Sequence, residues 1–365
     1  MISVQELRDV ACPSRLRHLW QELWHRTPRA SFRQTPEFLK SQQTSADGRW
    51  RMLLVSAWSR PIGIVPLRER TIQRTLGTFR VLSLPESPWG FFPGCVGPHP
   101  TTALTAAVRH LAEQDPSWDV FELPAVVADG QKPQRIVGAF ETSGLTPFQR
   151  TRRELCGVEL PERASQFWAN RDAASRHRWR ELDLSLMRRD TVRFVRFRPR
   201  GAQFGDTDRD WTFLNLLNRV ARRQPDADRV RQAQARIDLL RETHAAAVDA
   251  GSADVAILLI DSRPAAFAYN VHCRSRVESL LLLADPDVPH AADLLIGQML
   301  QDEIARGDRW HTFLPSSTSD VAVDWRMWQC DRLYETTISH YRRPSVRSRL
   351  LRWWDGAQRV RTITP

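Results

Sequence analysis

Between residues 253 and 307 the chain passes through three apolar segments cut by short polar breaks, then through a helical repeat, and this block limits the folds open to it. Segments 253–260, 264–273 and 277–284 are rich in Val, Ile, Leu, Phe and Tyr, the composition of strands on a buried pleated surface. Asp261-Ser-Arg263 and Arg274-Ser-Arg276 are short polar breaks, so the spacing predicts an antiparallel meander with tight turns. From His290 to Arg306, apolar residues fall at Ala292, Ile296, Met299, Leu300 and Ile304, one face of a helix. Gly307 stands where a left-handed C-terminal cap belongs. The linker 285–290 brings backbone N–H groups to the start of that helix, a natural place for an anion.

At 365 residues the chain is long enough for two domains with their own cores. Its net charge is +11 and almost wholly arginine, since Lys40 and Lys132 are the only lysines. Such a balance admits acidic partners, among them coenzyme phosphates, nucleic acid and anionic lipid, without choosing one. Five scattered cysteines without CxxC spacing fit a reduced, cytoplasmic compartment and argue against structural zinc. No apolar run reaches the length of a membrane span, and the N-terminus has no signal-peptide core. No Ser-His-Asp elbow, phosphate-binding P-loop, GxGxxG or HExxH is present, and the 14 tryptophans form no base-stacking platform.

In chain order, 14–24 reads as a helix, 31–39 as a loop entering a short helix at Pro36, and 51–57 and 61–68 as strands turning at Ser59-Arg60. A third strand at 79–84 leads into a Pro/Gly-dense loop, 85–100, then a helix capped by Thr101 and a strand at 118–123. Residues 139–148 read as weak strand or loop. Residues 167–182 read as one helix with a basic face, 192–198 as a strand, and 212–223 and 230–250 as helices separated by Pro225-Asp226. Ser59-Arg-Pro61 and Ser262-Arg-Pro264 each sit between two strands followed by a third strand, a helix and a strand opening on tryptophan (Trp118, Trp310). That shared order predicts a diverged duplication in which 51–123 matches 254–315.

A mixed sheet of this kind, with a central strand feeding a helix N-terminus, is similar to the GNAT acyltransferase core. The phrases Phe32-Arg-Gln-Thr-Pro-Glu-Phe-Leu39 and Arg263-Pro-Ala-Ala-Phe-Ala-Tyr-Asn-Val-His-Cys273, Asp285-Pro286, and the closing Ser339-His-Tyr341 resemble the FemAB- and CelD-type double-GNAT proteins, the BioF2-like acetyltransferases. The resemblance covers about residues 30–350. It implies an α/β fold of two GNAT-like domains, 1–155 and 156–365, each a mixed, mostly antiparallel sheet flanked by helices. It further implies acyl transfer from acetyl-CoA or another acyl-CoA, without metal, to a small-molecule, saccharide or peptide acceptor. Some FemAB-type relatives use an aminoacyl-tRNA donor instead, and tRNA is the one nucleic acid this reading admits.

The donor site implied by the family falls on Ala284, Asp285, His290, Ala291, Ala292 and Leu294, where consecutive amides and the positive helix end suit a pyrophosphate. Tyr341 matches the tyrosine with which related transferases protonate the leaving thiolate. Asn270 and His272 alternate onto one face of a central strand, where they offer an acceptor-lining surface. Trp89 and Gly90 in the Pro/Gly loop, and Arg171 on the basic helix, are the further acceptor candidates. The first-half loop is rich in proline, which has no N–H to give, so the second half should hold the donor. Two departures stand out. Residues 288–294 contain no glycine and add Asp293, and 315–325 lack the family's Tyr-Lys pair. They keep open a catalytically degenerate protein that binds a ligand on the same fold.

Overall fold

The computed structural model of the chain describes residues 1–8, 14–42, 48–74, 77–87, 89–91, 93–115, 117–128, 130–187, 191–198, 214–313, 323, 325–342 and 350. The chain divides into two compact units. Unit 1 is Met1–Arg153 with the chain from Tyr334 onward, and unit 2 is Glu154–Leu333. The final strand therefore belongs with the first unit, not with the second as the expected 156–365 domain had it. Its Ile338 side chain is fully buried in the unit 1 core, which explains the return.

In unit 1, strands β1 (Ile2–Arg8), β2 (Arg49–Ala57), β3 (Arg60–Arg74) and β4 (Gly77–Ser83) pair antiparallel in that order. The strands β5 (Glu86–Ser87) and β6 (Gly90–Phe91) make a short hairpin. Strand β7 (Val120–Ala128) then runs parallel to β4. Helices α1 (Ser14–His25), α2 (Pro36–Ser41), α3 (Pro100–Gln114) and α4 (Gln134–Thr142) complete the unit. Trp20, Leu53, Ile64, Leu104, Leu111 and Phe140 lie in its core. Helix α3 starts at Pro100, so Thr101 lies inside the first turn and is not its cap. Helix α4 replaces the weak strand expected near 139–148. Ile136, Ala139 and Phe140 are its buried face, a helical spacing too short to stand out in the sequence.

Strand β8 (Phe148–Glu159) carries the chain into unit 2. There follow α5 (Ala164–Ala169), α6 (Ala173–Met187), β9 (Val192–Phe197), α7 (Leu214–Ala221) and α8 (Ala227–Asp249). The predicted meander is next: β10 (Ala253–Ile260), β11 (Arg263–Cys273) and β12 (Arg276–Ala284), then α9 (Ala291–Ala305) and β13 (Trp310–Phe313). A short α10 (Trp325–Trp328) precedes β14 (Asp331–Tyr341), which returns to unit 1 beside β7. The sheet order in unit 2 is β9-β10-β11-β12-β13-β8. Gly307 takes φ 84, with the Asp308 N–H reaching back to the Glu303 carbonyl at 2.9 Å, the left-handed helix ending read from the sequence.

The two units repeat one topology: an antiparallel hairpin, a third antiparallel strand, a helix, and a strand parallel to the third. Even the hairpin turns agree, although the first is at Trp58-Ser59, one residue earlier than expected. Its φ values are 50 and 64, against 51 and 60 at Asp261-Ser262.

Helix α9 has almost no exposed face, because strands β10–β12 cover one side and α5 and α6 lie on the other. Contact on that outer side depends on Gly297. A methyl group there would overlap the ring of Trp179, which stacks on Trp168 with centroids 5.1 Å and planes 7° apart. Gly297→Ala is expected to destabilise unit 2 by roughly 2 kcal/mol, overpacking outweighing the helix-propensity gain. Urea unfolding checks this, and Trp179→Leu should restore most of the loss.

One expectation fails outright. Cys156 on β8 and Cys330 before β14 form a disulfide, with Cα atoms 5.3 Å apart and 174 residues between them in sequence. Cys95 and Cys273 are free and buried. The fold brings together two cysteines that spacing could not pair, and a reduced compartment can no longer be argued from unpaired cysteines.

Candidate functional site

The central feature of unit 2 is a bulge in β12, at the last described pair with β13. Their parallel pairing covers Arg276–Ser279 against Trp310–Phe313, and among the described residues no strand pairs with Leu280–Ala284 on that side. At the same point the register with β11 slips. Tyr269 faces Leu281 and Asn270 faces Ser279, leaving Leu280 as the extra residue of a β-bulge. A bulge leaves a backbone group out of the ladder, available to a bound carbonyl.

Beyond the end of β12, residues 285–290 lead to α9. Asp285 is buried and accepts from Arg223 and from the Asp287 N–H, while Gln224 Nε2 donates to the Ala284 carbonyl at 3.0 Å. Two residues between α7 and α8 thus fix the end of β12. His290 precedes α9 with φ 60, the left-handed region where the absent glycine would sit without strain. Arg178 Nη2 lies 3.0 Å from its Nε2, so a cation from α6 reaches the helix start.

Helix starts leave amides without intrahelical acceptors, and here those amides meet charge of both signs. Asp293 in the first turn is 3 % exposed and accepts from Trp328 Nε1 at 3.3 Å. It occupies part of the positive helix end, while Arg178 and His290 offer compensating positive charge. Of the expected donor residues, Ala291, Ala292 and Leu294 have buried side chains that pack into the unit 2 core. Only their backbones are candidates for contact. Ala284 is half-buried and His290 exposed.

Asn270 and His272 do share a face, but it is the face under α9 and not an open cleft. Asn270 is wholly buried, takes a hydrogen bond from Ser279 Oγ at 2.6 Å, and contacts Met299 Sδ. His272 pairs with Val277, at the start of β12 and away from the bulge, and lies 3.0 Å from Asp308 Oδ1. Both join a buried polar network that the sequence did not reveal. Ser279 Oγ is 2.9 Å from His311 Nε2, His311 Nδ1 is 2.8 Å from Glu303, and Arg196 bridges Glu303 at 2.7 Å and Asp254 at 2.6 Å. Arg198 then links Asp254 to Asp308. Ser279, His311 and Glu303 have the order of a nucleophile–base–acid triad, but each is at most 1 % exposed. So buried, they tie strand, bulge and helix to one another.

The remaining expected residues divide between the units. Tyr341 lies in unit 1, packs edge-on against Phe148, and joins an apolar cluster with Phe79, Val81 and Val120. Trp89 is 3 % exposed, and Gly90 at φ 122 sits where a Cβ would collide with the Arg33 guanidinium. These two form a packed joint and not an open wall. The Phe32-Arg-Gln-Thr phrase holds that joint: Arg33 points at the Trp89 carbonyl, and Gln34 Nε2 donates to the carbonyls of Pro93 and Cys95. Arg171 is in unit 2, at a break the sequence reading missed. Residues 167–182 are not one helix, because Asp172 accepts from the Ser175 N–H at 2.7 Å and starts α6 afresh. The 315–325 stretch lies almost entirely outside the described residues.

Among the described residues no group of three or more His, Cys, Asp or Glu suits a metal ion, and no helix is long and apolar enough to cross a membrane. Residues 173–320 match the acetyltransferase (GNAT) domain family. The fold is similar to that of FemX, with a TM-score of 0.60 at 11 % identity over 92 % of this chain and 98 % of that one. It is also similar to the C-terminal domain of a putative lysylphosphatidylglycerol synthetase from Agrobacterium fabrum, with a TM-score of 0.53 at 10 % identity over 93 % and 95 %. A tandem GNAT protein from the clavulanic acid biosynthesis pathway aligns at 0.47 and 9 % identity over 94 % and 100 %. No curated protein matches the chain. Residues 173–320 thus resemble a GNAT acetyltransferase domain, and the two-unit chain has a fold like that of FemX.

Proposed function

We propose that the protein transfers an acyl group from an activated donor bound in unit 2 to an amine or hydroxyl acceptor. The observation that carries this reading is the Leu280 bulge in β12, with the α9 N-terminus beyond the end of that strand. A bulge N–H suits the acyl carbonyl as negative charge develops on it, and helix-start amides suit phosphate. A donor already carrying an activated bond asks the protein mainly to position it and manage protons. Acyl-CoA is the first donor to test.

An aminoacyl-tRNA donor is the second reading, and one observation favours it. Buried Asp293 opposes a compact pyrophosphate at the helix start, in a loop without glycine. The likeness to FemX and to the lysylphosphatidylglycerol synthetase domain points the same way.

Calorimetry with acetyl-CoA, beside a gel-shift assay with aminoacyl-tRNA, tests both. Arg178→Ala should weaken the true donor about tenfold, the worth of one charge-assisted contact. Ala292 is unsuited to this test, because its buried side chain ties any substitution to core packing. Binding of neither donor up to millimolar concentration, with the fold intact, would leave ligand binding without transfer as the function.

A further inference from the structure

The break between α5 and α6 opens a cavity of about 350 Å³ in unit 2, lined by Glu159, Pro161, Asn170, Arg171, Gln329 and Asp331. Its chemistry is unbalanced in an informative way. The Arg171 guanidinium lies over the Phe167 ring at 4.2 Å, and its Nε is buried without an acceptor. Burial disfavours its charge, and the negative charge of Asp331 only partly offsets that. A half-buried cation in this condition gains most from an anion that brings planar oxygens to it. The lining also carries two carboxylates, Glu159 and Asp331, both on exposed residues. They repel a phosphate and favour a cation.

We propose that this cavity binds a small zwitterion, an amino acid or short peptide, with its carboxylate on Arg171 and its ammonium against Asp331 and Glu159. Several local features build the cavity for a ligand. Asn170 ends α5 and Asp172 starts α6, so the helix interruption is what exposes Arg171. Gln329 Nε2 holds Asp172 at 2.5 Å, and Gln329 itself has φ 46, a left-handed backbone unusual outside glycine. The cavity also shares its supports with the donor loop. Trp328, next to Gln329, donates to Asp293 at the start of α9, and α6 runs from Asp172 to Arg178 at His290. The inference deepens the acyl-transfer reading by naming the acceptor class, and it rests on that reading only for the amine's role as acceptor.

The experiment is calorimetry on the full chain without donor, using a panel of free amino acids and the dipeptide Ala-Ala, each beside its N-acetyl and carboxamide derivatives. At least one free zwitterion should bind, and masking either end should weaken it about tenfold or more. Arg171→Gln should abolish the penalty for masking the carboxylate, and Asp331→Asn should reduce the penalty for masking the amine. Circular dichroism checks both folds. Asp331 is exposed, so its variant remains informative should Arg171→Gln unfold. Failure of every zwitterion to bind, or affinity indifferent to both variants, overturns the proposal. Acetyl-CoA titrated separately distinguishes the two failures: donor binding without zwitterion binding sinks this inference alone, and zwitterion binding without either donor sinks the transfer reading alone.

Discussion

Arg196→Met should lower the stability of unit 2 by about 3–5 kcal/mol, the cost of leaving buried carboxylates without their cation. The Arg196 side chain is 1 % exposed and bonds Asp254 twice, Glu303 once and the Met299 carbonyl once, at 2.6–3.0 Å. Without it, Asp254 keeps Arg198, but Glu303 keeps only His311 among its short partners. Burial alone would raise the Asp254 pKa, yet Arg196 and Arg198 beside it hold the carboxyl well below the usual carboxylate range. A depressed folded value means the stabilisation is complete above the unfolded pKa near 4 and is lost only as pH falls through the folded one. The wild-type unit should therefore hold to lower pH than the variant. In unit 1, Asp115, lowered to about 2 against its burial by Ser117 and Arg51, sets the corresponding window between about 4 and 2. Urea unfolding at neutral and acid pH reads both effects. A variant as stable as wild type at neutral pH would show that the network contributes nothing net.

That network was not legible in the sequence, and the reason is physical. Ser279, His311, Glu303, Arg196 and Asp254 come from five separate elements, and no spacing along the chain announces them. The meander, by contrast, was legible to within a residue, because each of its strands is buried along nearly its whole length and is mostly apolar. The duplication was legible for the same reason: both hairpins keep Ser-Arg-Pro at the turn. Short amphipathic pieces were lost. Helix α4 offered three buried residues, and the α5–α6 break depended on one aspartate capping in the middle of a plausible helical repeat. At the candidate site, the sequence placed residues 285–290 directly before α9, since loop and helix are contiguous. It misplaced Asn270 and His272, because alternation along a strand says which side chains share a face and not what covers that face. For Asn270 the answer was α9, whose buried residues are mostly apolar but include Asp293 and Glu303.

Reducing the Cys156–Cys330 disulfide should produce the largest single loss of stability in the protein. The bond closes a 174-residue loop, for which the chain-entropy argument gives about 5 kcal/mol as an upper figure. Its placement makes nearly all of that loop relevant. Cys156 is the third residue of unit 2 and Cys330 the fourth from its end, so the bond fastens the unit where the chain enters and leaves. Both cysteines are half-buried, so a small thiol can reach them without global unfolding. Dithiothreitol should lower the thermal midpoint of unit 2 by roughly 10 °C or more, given about 2–4 °C per kcal/mol for a unit of this size. A Cys156→Ser, Cys330→Ser double variant should unfold near the reduced wild type and be indifferent to the reductant. Cys95 and Cys273 serve as the control, because burial pushes both thiols up to about 12 and keeps them unreactive. If reduction left the midpoint unchanged while thiol counting showed the bond broken, the β8–β14 junction would have to be held by packing alone. Gly157, which meets Trp310 and Leu333, would then be the residue to substitute next.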